Sequence, residues 1–438
     1  MKGDRTLLIV SGATLVAAAA AFFATATGRF APRRAESAPG EALYREVVRR
    51  VLADADAPPD EEALAYGAVK GILEALDDPH ARLYLPAEWE SFRRDQRGEA
   101  SGVGFELAPI RDHLVVAWTT PDGPADRAGV RAGERIFAVA GKAVELPSGR
   151  AAAERALRGP SGSRVVLSVG ARDGGGLRDV AVERGPYDAE AVYGRMTDAA
   201  AGVGVVKIGA FREGTADAFL RRVAALQAAG MKRLVVDLRF NRGGSFEAAT
   251  AVADAWLDDG VICRVRGRAA AEEHSATPGG PLRGFPTAVL VDGATASASE
   301  VLAGALQDHH AAPLVGEPTY GKGVVQEVTP FTTWAGGMKL TVARYYTPSD
   351  RCVDAGPRRG AGPRRGGLRP DVAVHVDAAE HDRLRRDAER FHWADSVRDE
   401  VRRLESETES RPGPFVDRQH RAAVDLLLGR GSDVPARR

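Results

Sequence analysis

The chain has 438 residues, and its 60 basic and 60 acidic side chains give a formal net charge of zero. This length predicts two or three domains, and the charge balance gives no reason to expect a nucleic-acid partner. Two cysteines, Cys263 and Cys352, exclude a disulfide-dense scaffold and a cysteine metal cluster. They are expected either to pair in an oxidising compartment or to remain free thiols.

An apolar segment lies near the N-terminus, within residues 1–35. Thr6 to Thr27 carries no charge and is long enough to span a bilayer. Ala24-Thr25-Ala26 also fits a small-x-small cleavage site, so a cleaved signal peptide competes with a permanent anchor. Both alternatives predict export across the cytoplasmic membrane to the cell envelope, on its periplasmic or outer face, in an anchored or secreted form.

Residues 36–95 are predicted to form an N-terminal helical region. Apolar side chains recur there at the three- and four-residue spacing of an α-helix. The two runs are Leu43, Val47, Val48, Val51 and Leu52, and then Ala63, Leu64, Ala68, Ile72 and Leu73.

Residues 96–185 resemble a PDZ domain, a β-sandwich or barrel-like fold. Gly102-Val103-Gly104-Phe105 resembles the carboxylate-binding loop of that fold and opens a predicted strand. Free N–H groups and an exposed strand edge there are suited to capturing a peptide C-terminus by strand addition. Three more segments follow in the expected order: a strand-turn-strand run at Pro124–Ile136, a hairpin at Val139–Lys142, and a groove-flanking helix at Arg150–Leu157.

Residues 186–377 alternate between strand and helix patterns, which predicts an α/β core with a mostly parallel sheet. The predicted strands are Val203–Ile208, Leu234–Leu238, Pro286–Val291, Val324–Thr329 and Met338–Tyr346. The predicted helices are Ala216–Ala229, Phe246–Leu257 and the segment that follows Ser297.

A polar glycine turn follows the second of these strands. Asp237-Leu-Arg239-Phe-Asn241-Arg-Gly243-Gly244 carries an apolar strand into bare backbone whose N–H groups can face a developing negative charge. The simpler interpretation is a tight turn before a helix.

Ser297 lies at a predicted strand-to-helix elbow. The helical repeat begins just after it, and Ser297 with Glu300 fits the Ser-x-x-Glu capping box. A hydroxyl there lies at the positive end of a helix, and the Ala298 N–H is available to an oxyanion. Ser297 is thus a candidate nucleophile, although a capping serine is the simpler alternative.

Lys322, between Gly321 and Gly323, is the candidate base. A lysine held away from water has a lowered pKa and can accept a proton, and Ser-Lys pairs are known activated nucleophiles. His309 and His310 invite a Ser-His-Asp alternative with Asp308. They follow Ser297 by twelve and thirteen positions on the same predicted helix, roughly 18–20 Å of rise, so they cannot reach it.

The serine, lysine and glycine-turn segments together resemble the carboxyl-terminal processing, or tail-specific, proteases, which are S41-type serine peptidases. The resemblance implies a crotonase-like ββα core that needs no metal or cofactor. It implies Ser297 as nucleophile, Lys322 as general base and Gln326 as the residue that orients the lysine. The remaining roles it implies are oxyanion donors at Gly243 and Ala298 and supporting residues at Asp237, Arg239 and Asp308.

Other segments also resemble this family. Leu76–Tyr84 matches a segment that precedes the PDZ domain but departs from it at His80 and Ala81, and we interpret His80 as structural. The family joins Tyr345–Pro348 to Arg369–Val372 by a short link. Here the link is lengthened by 356–365, predicted as a basic surface loop with anionic lipid contact as the alternative.

Residues 378–438 are predicted to form a charged helical tail with a break at Pro412-Gly413-Pro414. Asp417-Arg418-Gln419 resembles the terminal helix of the family. The tail is expected either to pack on the core or to support a homo-oligomer.

The leading hypothesis is an exported or membrane-associated endopeptidase that receives unfolded or tail-exposed proteins by their C-termini. Arg158, at the end of the groove helix, is expected to contact the protease core and report peptide occupancy. The rival is a non-hydrolytic scaffold that binds peptides through the PDZ groove. A Ser-His esterase is the third hypothesis, and the helix geometry disfavours it.

Overall fold

The computed structural model describes residues 39–57, 59–97, 99–146, 149–188, 191–268, 270–354, 366–408 and 416–430. Three predicted features lie outside these residues: the apolar segment at 6–27, the basic insertion at 356–365 and the break at 412–414. None of the helices within the described ranges is both long and apolar enough to cross a membrane. The chain divides into two compact units, Met1–Asp77 and Asp78–Arg438.

The first unit contains two helices, α1 (Pro39–Asp54) and α2 (Glu61–Glu74). The Asp60 carboxylate caps α2 by accepting a hydrogen bond from the Ala63 N–H at 2.7 Å. Helical periodicity therefore predicted both elements. It did not predict burial, because Leu43 and Ile72 are 62% and 61% exposed.

The second unit begins with a short strand and a helix and continues into a β-rich domain. Its elements are β1 (Arg82–Tyr84), α3 (Pro86–Arg97), β2 (Glu99–Gly102), β3 (Phe105–Ile110), β4 (His113–Thr119), α4 (Pro124–Arg127), β5 (Arg135–Val139), β6 (Lys142–Ala143), α5 (Gly149–Leu157), β7 (Arg164–Gly170), β8 (Arg178–Glu183) and β9 (Gly185–Asp188). The main sheet has the order β3-β4-β5-β7-β8, with β6 on β5, and β2 pairs separately with β9.

Two of the turn predictions in this domain had different outcomes. The hairpin at Val139–Lys142 is confirmed, since Ala140 and Gly141 both have positive φ angles, 52° and 75°, between β5 and β6. The strand-turn-strand prediction for Pro124–Ile136 was wrong in its first half. Pro124 starts the helical turn α4, because its fixed φ angle suits the first helical position.

The α/β core follows, as alternation predicted. Its elements are β10 (Val192–Asp198), β11 (Val203–Ile208), α6 (Thr215–Ala228), β12 (Arg233–Asp237), α7 (Phe246–Asp254), β13 (Val261–Gly267), β14 (Ala271–Ser275), β15 (Thr287–Val291), α8 (Ala298–Asp308), β16 (Leu314–Gly316), β17 (Val324–Pro330), β18 (Gly337–Tyr346) and β19 (Val372–Ala373). One sheet has the order β10-β11-β12-β15-β16-β19 and is parallel except for β10. An antiparallel sheet has the order β1-β18-β13-β14, with β17 on β18.

The parallel sheet is covered on both faces, which explains why its strands read as continuous apolar runs. Helices α6, α7 and α8 bury one face around Val206, Val236 and Leu302. The other face, which includes Val205 and Leu290, packs against the tail of the chain. Because β12 and β15 are parallel neighbours, the glycine turn after one and Ser297 after the other meet at the same sheet edge.

The tail contains α9 (Ala378–Glu389), α10 (Asp395–Thr408) and α11 (Arg418–Leu427). Helix α11 packs on the parallel sheet through Ala423, so the tail lies on the core, as one of the two predicted alternatives stated. Helix α10 packs instead on the β-rich domain, where Val397 joins a cluster with Val115, and the Ala394 N–H donates to the Ala117 carbonyl at 3.0 Å. Both cysteines are free thiols, Cys263 buried and Cys352 exposed.

Candidate active site

Ser297 adopts a strained backbone conformation immediately before α8. Its φ and ψ angles are 58° and −121°, a region that residues other than glycine rarely occupy. Such outliers persist only where neighbouring contacts hold them, and they concentrate at functional sites. The acidic arm of the predicted capping box is present, since the Ser297 N–H donates to Glu300 Oε2 at 2.9 Å. Both arms of the capping box are present, and the Glu300 N–H also donates to the Ser297 carbonyl at 2.8 Å, so Ser297 caps α8 as the simpler alternative predicted.

The Glu300 carboxylate joins the serine elbow to the lysine segment. Oε2 accepts the N–H groups of both Ser297 and Lys322, each at 2.9 Å. Oε1 accepts the Gly321 N–H at 2.8 Å and the Thr319 hydroxyl at 2.5 Å. Glu300 is fully buried. Burial raises its pKa, and the four donors partly offset that effect. One carboxylate therefore fixes the nucleophile candidate and the base candidate relative to each other.

Tyr345 closes the same junction from β18. Its hydroxyl lies 2.7 Å from the Lys322 carbonyl and 3.0 Å from the Ser297 carbonyl, and it shares its proton between them. Burial raises the pKa of Tyr345, with the nearby Glu300 charge adding to the effect, so the phenol keeps its proton. The Tyr345 hydroxyl also lies 3.4 Å from Glu300 Oε2, so Glu300 and Tyr345 together contact both segments.

The Lys322 amine is held by Gln326. Lys322 Nζ donates to Gln326 Oε1 at 3.0 Å, and Gln326 Nε2 donates to the His80 carbonyl, also at 3.0 Å. Burial lowers the pKa of Lys322, opposed by Tyr320, Asp78 and Glu300. No hydrogen bond joins this amine to the Ser297 hydroxyl among the described residues.

Gly323 shows why the lysine segment needs a residue without a side chain. A carbon atom added at Gly323 would lie 2.3 Å from the Asp354 backbone nitrogen. The Asp354 backbone therefore packs directly against the chain beside Lys322, which a side chain at position 323 would prevent.

The glycine turn after β12 lies against the elbow. Gly243 has a φ angle of 96°, and a carbon added there would lie 2.9 Å from Ser297 Cβ. Its N–H donates to the buried Asn241 Oδ1 at 2.8 Å. The Asn241 carbonyl in turn accepts the Ala296 N–H and the Ser299 hydroxyl, both at 3.1 Å. Ala298 is the first residue of α8, so its N–H has no acceptor in a preceding helical turn.

A buried network of ion pairs lies at the end of β12, where the glycine turn begins. Arg239 binds the two Asp237 oxygens at 3.0 and 2.8 Å and the Asp417 oxygens at 3.0 and 2.9 Å. Lys207 Nζ donates to the Arg239 carbonyl at 3.0 Å. Burial alone raises the pKa of Asp237, but the charges of Arg239 and Lys207 outweigh it and hold the pKa below its usual value. The tail helix α11, which starts after Asp417, is therefore linked to the strand that carries the glycine turn.

Replacing Asp417 by alanine is expected to lower the free energy of unfolding by about 3 kcal/mol, because Arg239 stays buried with one partner fewer. The α11 N-cap is lost as well, since Asp417 Oδ1 accepts the His420 N–H at 2.9 Å. Urea denaturation measures the change, with Asp425→Ala on the same helix as control.

This stabilisation depends on pH, because Arg239 holds the Asp417 pKa low although burial opposes it. The stabilisation is thus present above the unfolded-state pKa and fades as the pH falls through the folded one. If Asp417→Ala and Asp425→Ala had the same free energy of unfolding, the ion pair between Arg239 and Asp417 would not stabilise the fold.

The remaining predicted residues of the core lie at the far end of α8. Asp308 accepts the Ser349 N–H at 2.9 Å and the Ser349 hydroxyl at 2.6 Å, and it pairs with Arg351. His309 Nε2 contacts the Val261 carbonyl at 2.7 Å. Helix α8 runs unbroken from Ala298 to Asp308, so these side chains are a full helix length from Ser297.

The β-rich domain has a groove between β3 and α5, with a volume of about 590 Å³. Its lining includes Gly102, Val103 and Phe105 of the predicted carboxylate-binding loop, together with the exposed Arg158. The carbonyl of the remaining loop residue, Gly104, accepts the Thr120 N–H at 2.9 Å. No ion pair or hydrogen bond from the Arg158 side chain to the core is found in the described part of the chain.

Comparison with known proteins agrees with this architecture. The family model for peptidase family S41 matches residues 202–374, and that for the PDZ domain matches residues 115–169. A carboxyl-terminal-processing protease of Picosynechococcus sp. is 38% identical over 287 residues, 65% of this chain and 69% of that protein. A carboxy-terminal-processing protease of Bartonella bacilliformis is 32% identical over 346 residues, covering 77% and 76% of the two chains. The chloroplastic carboxyl-terminal-processing peptidase 2 of Arabidopsis thaliana is 34% identical over 325 residues, covering 71% and 61%.

The fold and these similarities define a peptidase with a PDZ domain. The chain belongs to peptidase family S41, among the carboxyl-terminal-processing peptidases.

Proposed function

We propose that this enzyme is a serine endopeptidase that uses Ser297 and Lys322 and selects substrates by their C-terminal tails. The observation that carries the proposal is the shared Glu300 carboxylate, which holds the backbone of both residues at 2.9 Å. A strained serine at a helix start and a half-buried lysine whose amine is held by Gln326 are suited to nucleophilic catalysis.

In the proposed reaction, neutral Lys322 accepts the Ser297 hydroxyl proton as Oγ attacks the scissile carbonyl carbon. A neutral amine can donate to Gln326 Oε1 while its lone pair remains available, so the 3.0 Å hydrogen bond to Gln326 orients the base. The protonated lysine then gives the proton to the departing amine, and an acyl-enzyme remains. Water, deprotonated by the same lysine, releases the new C-terminus and restores Ser297.

The tetrahedral oxyanion is assigned to the N–H groups of Ala298 and Gly243. Ala298 lies at the positive end of α8, which favours negative charge. Without substrate, the Gly243 N–H donates a hydrogen bond to Asn241 Oδ1 at 2.8 Å. When the oxyanion forms, this N–H must break that hydrogen bond or share it between Asn241 and the oxyanion. Asn241 is the residue whose replacement tests this rearrangement.

The groove beside β3 is the proposed tail site. An extended peptide can add to the free edge of β3, and its C-terminal carboxylate can be bound at Gly102 to Phe105, with Arg158 in the lining. We further propose that the apolar segment at 6–27 places the enzyme in the cell envelope, anchored or secreted, where its substrates are exported proteins.

The competing proposal is a peptide-binding scaffold without hydrolysis. Incubation with an unfolded protein bearing an apolar C-terminal tail, followed by mass spectrometry, separates the two. We expect the unsubstituted enzyme to produce internal cleavage fragments of the substrate and Ser297→Ala to produce none. Amidation removes the charge of the substrate's C-terminal carboxylate, so the unsubstituted enzyme should then produce fewer fragments. Tail-dependent capture without fragments from the parent protein would favour the scaffold.

A further inference from the structure

An arginine-lined cavity of about 910 Å³ lies away from Ser297, between the edge strand β10 and the tail helices. Its lining includes Arg195 on β10, Phe391 after α9, Arg398 and Arg402 on α10, and His420 on α11. None of these side chains takes part in the proposed reaction.

The carboxylates that line this cavity are engaged by arginines other than Arg195. Asp237 and Asp417 line it but are bound to Arg239. Asp387 pairs with Arg402, and Asp395 pairs with Arg398. Further lining carboxylates are likewise engaged, as Glu405 is by Arg390 at 2.8 Å.

Among the described residues, Arg195 forms no ion pair with a carboxylate. Its guanidinium lies 4.4 Å from the centre of the Phe391 ring, and the described residues give it no hydrogen bond or ion pair. Burial lowers the Arg195 pKa to about 10, with Arg398 and Arg402 adding to the effect and Asp387 and Asp395 opposing it. A guanidinium presents five N–H donors, and leaving them unmatched in a partly dry cavity is costly.

Within the described part of the chain, two further polar atoms at this cavity, Arg398 Nε and His420 Nε2, are buried without a hydrogen-bond partner. Arg398 is 6% exposed, and its Nε is buried without a hydrogen bond, since the nearest carboxylate oxygen, on Asp399, is 3.8 Å away. His420 Nε2 is also buried without a partner among the described residues. Burial lowers the His420 pKa, so the ring is neutral near neutrality and can donate one N–H.

We propose that this cavity binds a small oxyanion of the phosphate type, held by Arg195, Arg398 and His420. The Arg195 guanidinium, Arg398 Nε and His420 Nε2 have no acceptor among the described residues, whereas the two Nη atoms of Arg398 are engaged by Asp395 and by the Phe391 and Trp393 carbonyls. Such free donors match a group with several acceptor oxygens, and guanidinium groups suit phosphate geometry. The ligand is inorganic phosphate or pyrophosphate, or the phosphate group of a small metabolite.

Such an anion would connect two parts of the enzyme. Arg195 belongs to the protease sheet, whereas Arg398 belongs to α10, which packs on the β-rich domain through Val397. Bound anion therefore strengthens the attachment of the PDZ domain to the catalytic core. The site is a point at which phosphate compounds regulate delivery of substrate.

Isothermal titration of the full chain with pyrophosphate, at an ionic strength held constant with KCl, tests the proposal. We expect saturable binding of one anion per chain, weakened at least tenfold by Arg195→Gln. Arg164→Gln removes an exposed arginine of the same charge from β7 and should leave binding unchanged. Parallel titrations with inorganic phosphate and a sugar phosphate identify the source, since tighter binding of the sugar phosphate indicates a metabolite.

Thermal unfolding provides the folding control. Without anion, Arg195→Gln should melt at or above the temperature of the parent chain, because it removes an unneutralised cation. With pyrophosphate, only the parent and Arg164→Gln should gain stability. Absence of saturable binding, or an equal gain in all three proteins, would overturn the proposal, because equal gains show nonspecific screening.

Discussion

Replacing Lys322 by arginine is expected to lower kcat/KM by roughly 10⁴-fold, the scale seen when a member of a catalytic unit is removed. Arginine keeps the positive charge but cannot lose its proton at accessible pH, so it cannot act as a base. The measurement is the cleavage rate of an unstructured substrate with excess enzyme, which reports the chemical step.

Lys322→Met separates catalysis from folding in this experiment. The methionine side chain is similar in length to lysine but carries no charge. The Lys322→Met variant should therefore lose as much activity as Lys322→Arg. Because burial lowers the Lys322 pKa, the charged lysine costs stability below its unfolded-state pKa. The methionine variant should therefore unfold at the same temperature as the parent or above it. Retention of a tenth of the activity in either variant would show that lysine is not the base.

Replacing Glu300 by glutamine is expected to lower both activity and stability. The amide keeps one acceptor oxygen and puts an NH₂ group where the other stood. Either orientation leaves two donors facing it, Ser297 N–H with Lys322 N–H, or Gly321 N–H with the Thr319 hydroxyl. At about 1–3 kcal/mol for each buried unsatisfied donor, we expect the two donors to lower the free energy of unfolding by about 2–6 kcal/mol. Misplacement of the serine relative to the lysine should lower kcat by about 10²-fold.

Glu247→Gln is the matched control for this experiment. Glu247 is in the first turn of α7 as Glu300 is in that of α8, but it is exposed, and its carboxylate accepts a hydrogen bond from the Ser245 hydroxyl at 2.9 Å. Its replacement should change neither activity nor stability by more than a few tenths of a kcal/mol. If Glu300→Gln behaved in the same way, Glu300 would not be what aligns the two segments.

The core of the fold could be predicted from the sequence because its signals are local. Runs such as Val203–Ile208 are buried on both faces and read as parallel strands without further information. The site segments were similarly visible, since a serine before a helical repeat and a lysine between glycines carry their chemistry in a few adjacent residues. Helix boundaries were less accurate, as at Phe246–Asp254, where Leu257 was predicted to end the helix.

The contacts that join those segments could not be predicted in the same way. Tyr345 was assigned no role, because its hydroxyl meets the elbow only through the pairing of β18 within its own sheet. His80 serves through its backbone carbonyl, which no side-chain pattern indicates. Glu300 was interpreted only as a cap, although a single acidic residue in an otherwise apolar and small-residue helix start was a usable signal. Asn241 was noted only as part of a motif.

The dependence of kcat/KM on pH tests the central claim most directly, since it reports the ionisation of free enzyme. If neutral Lys322 is the base, activity is absent while the amine is protonated and rises with pH through a single apparent pKa below the ordinary lysine value of about 10.4. The same rise should persist in His80→Gln, which removes a histidine side chain that interacts electrostatically with Lys322 and could titrate in its place. A flat profile, activity that falls as the pH rises, or loss of the transition in His80→Gln would contradict the account.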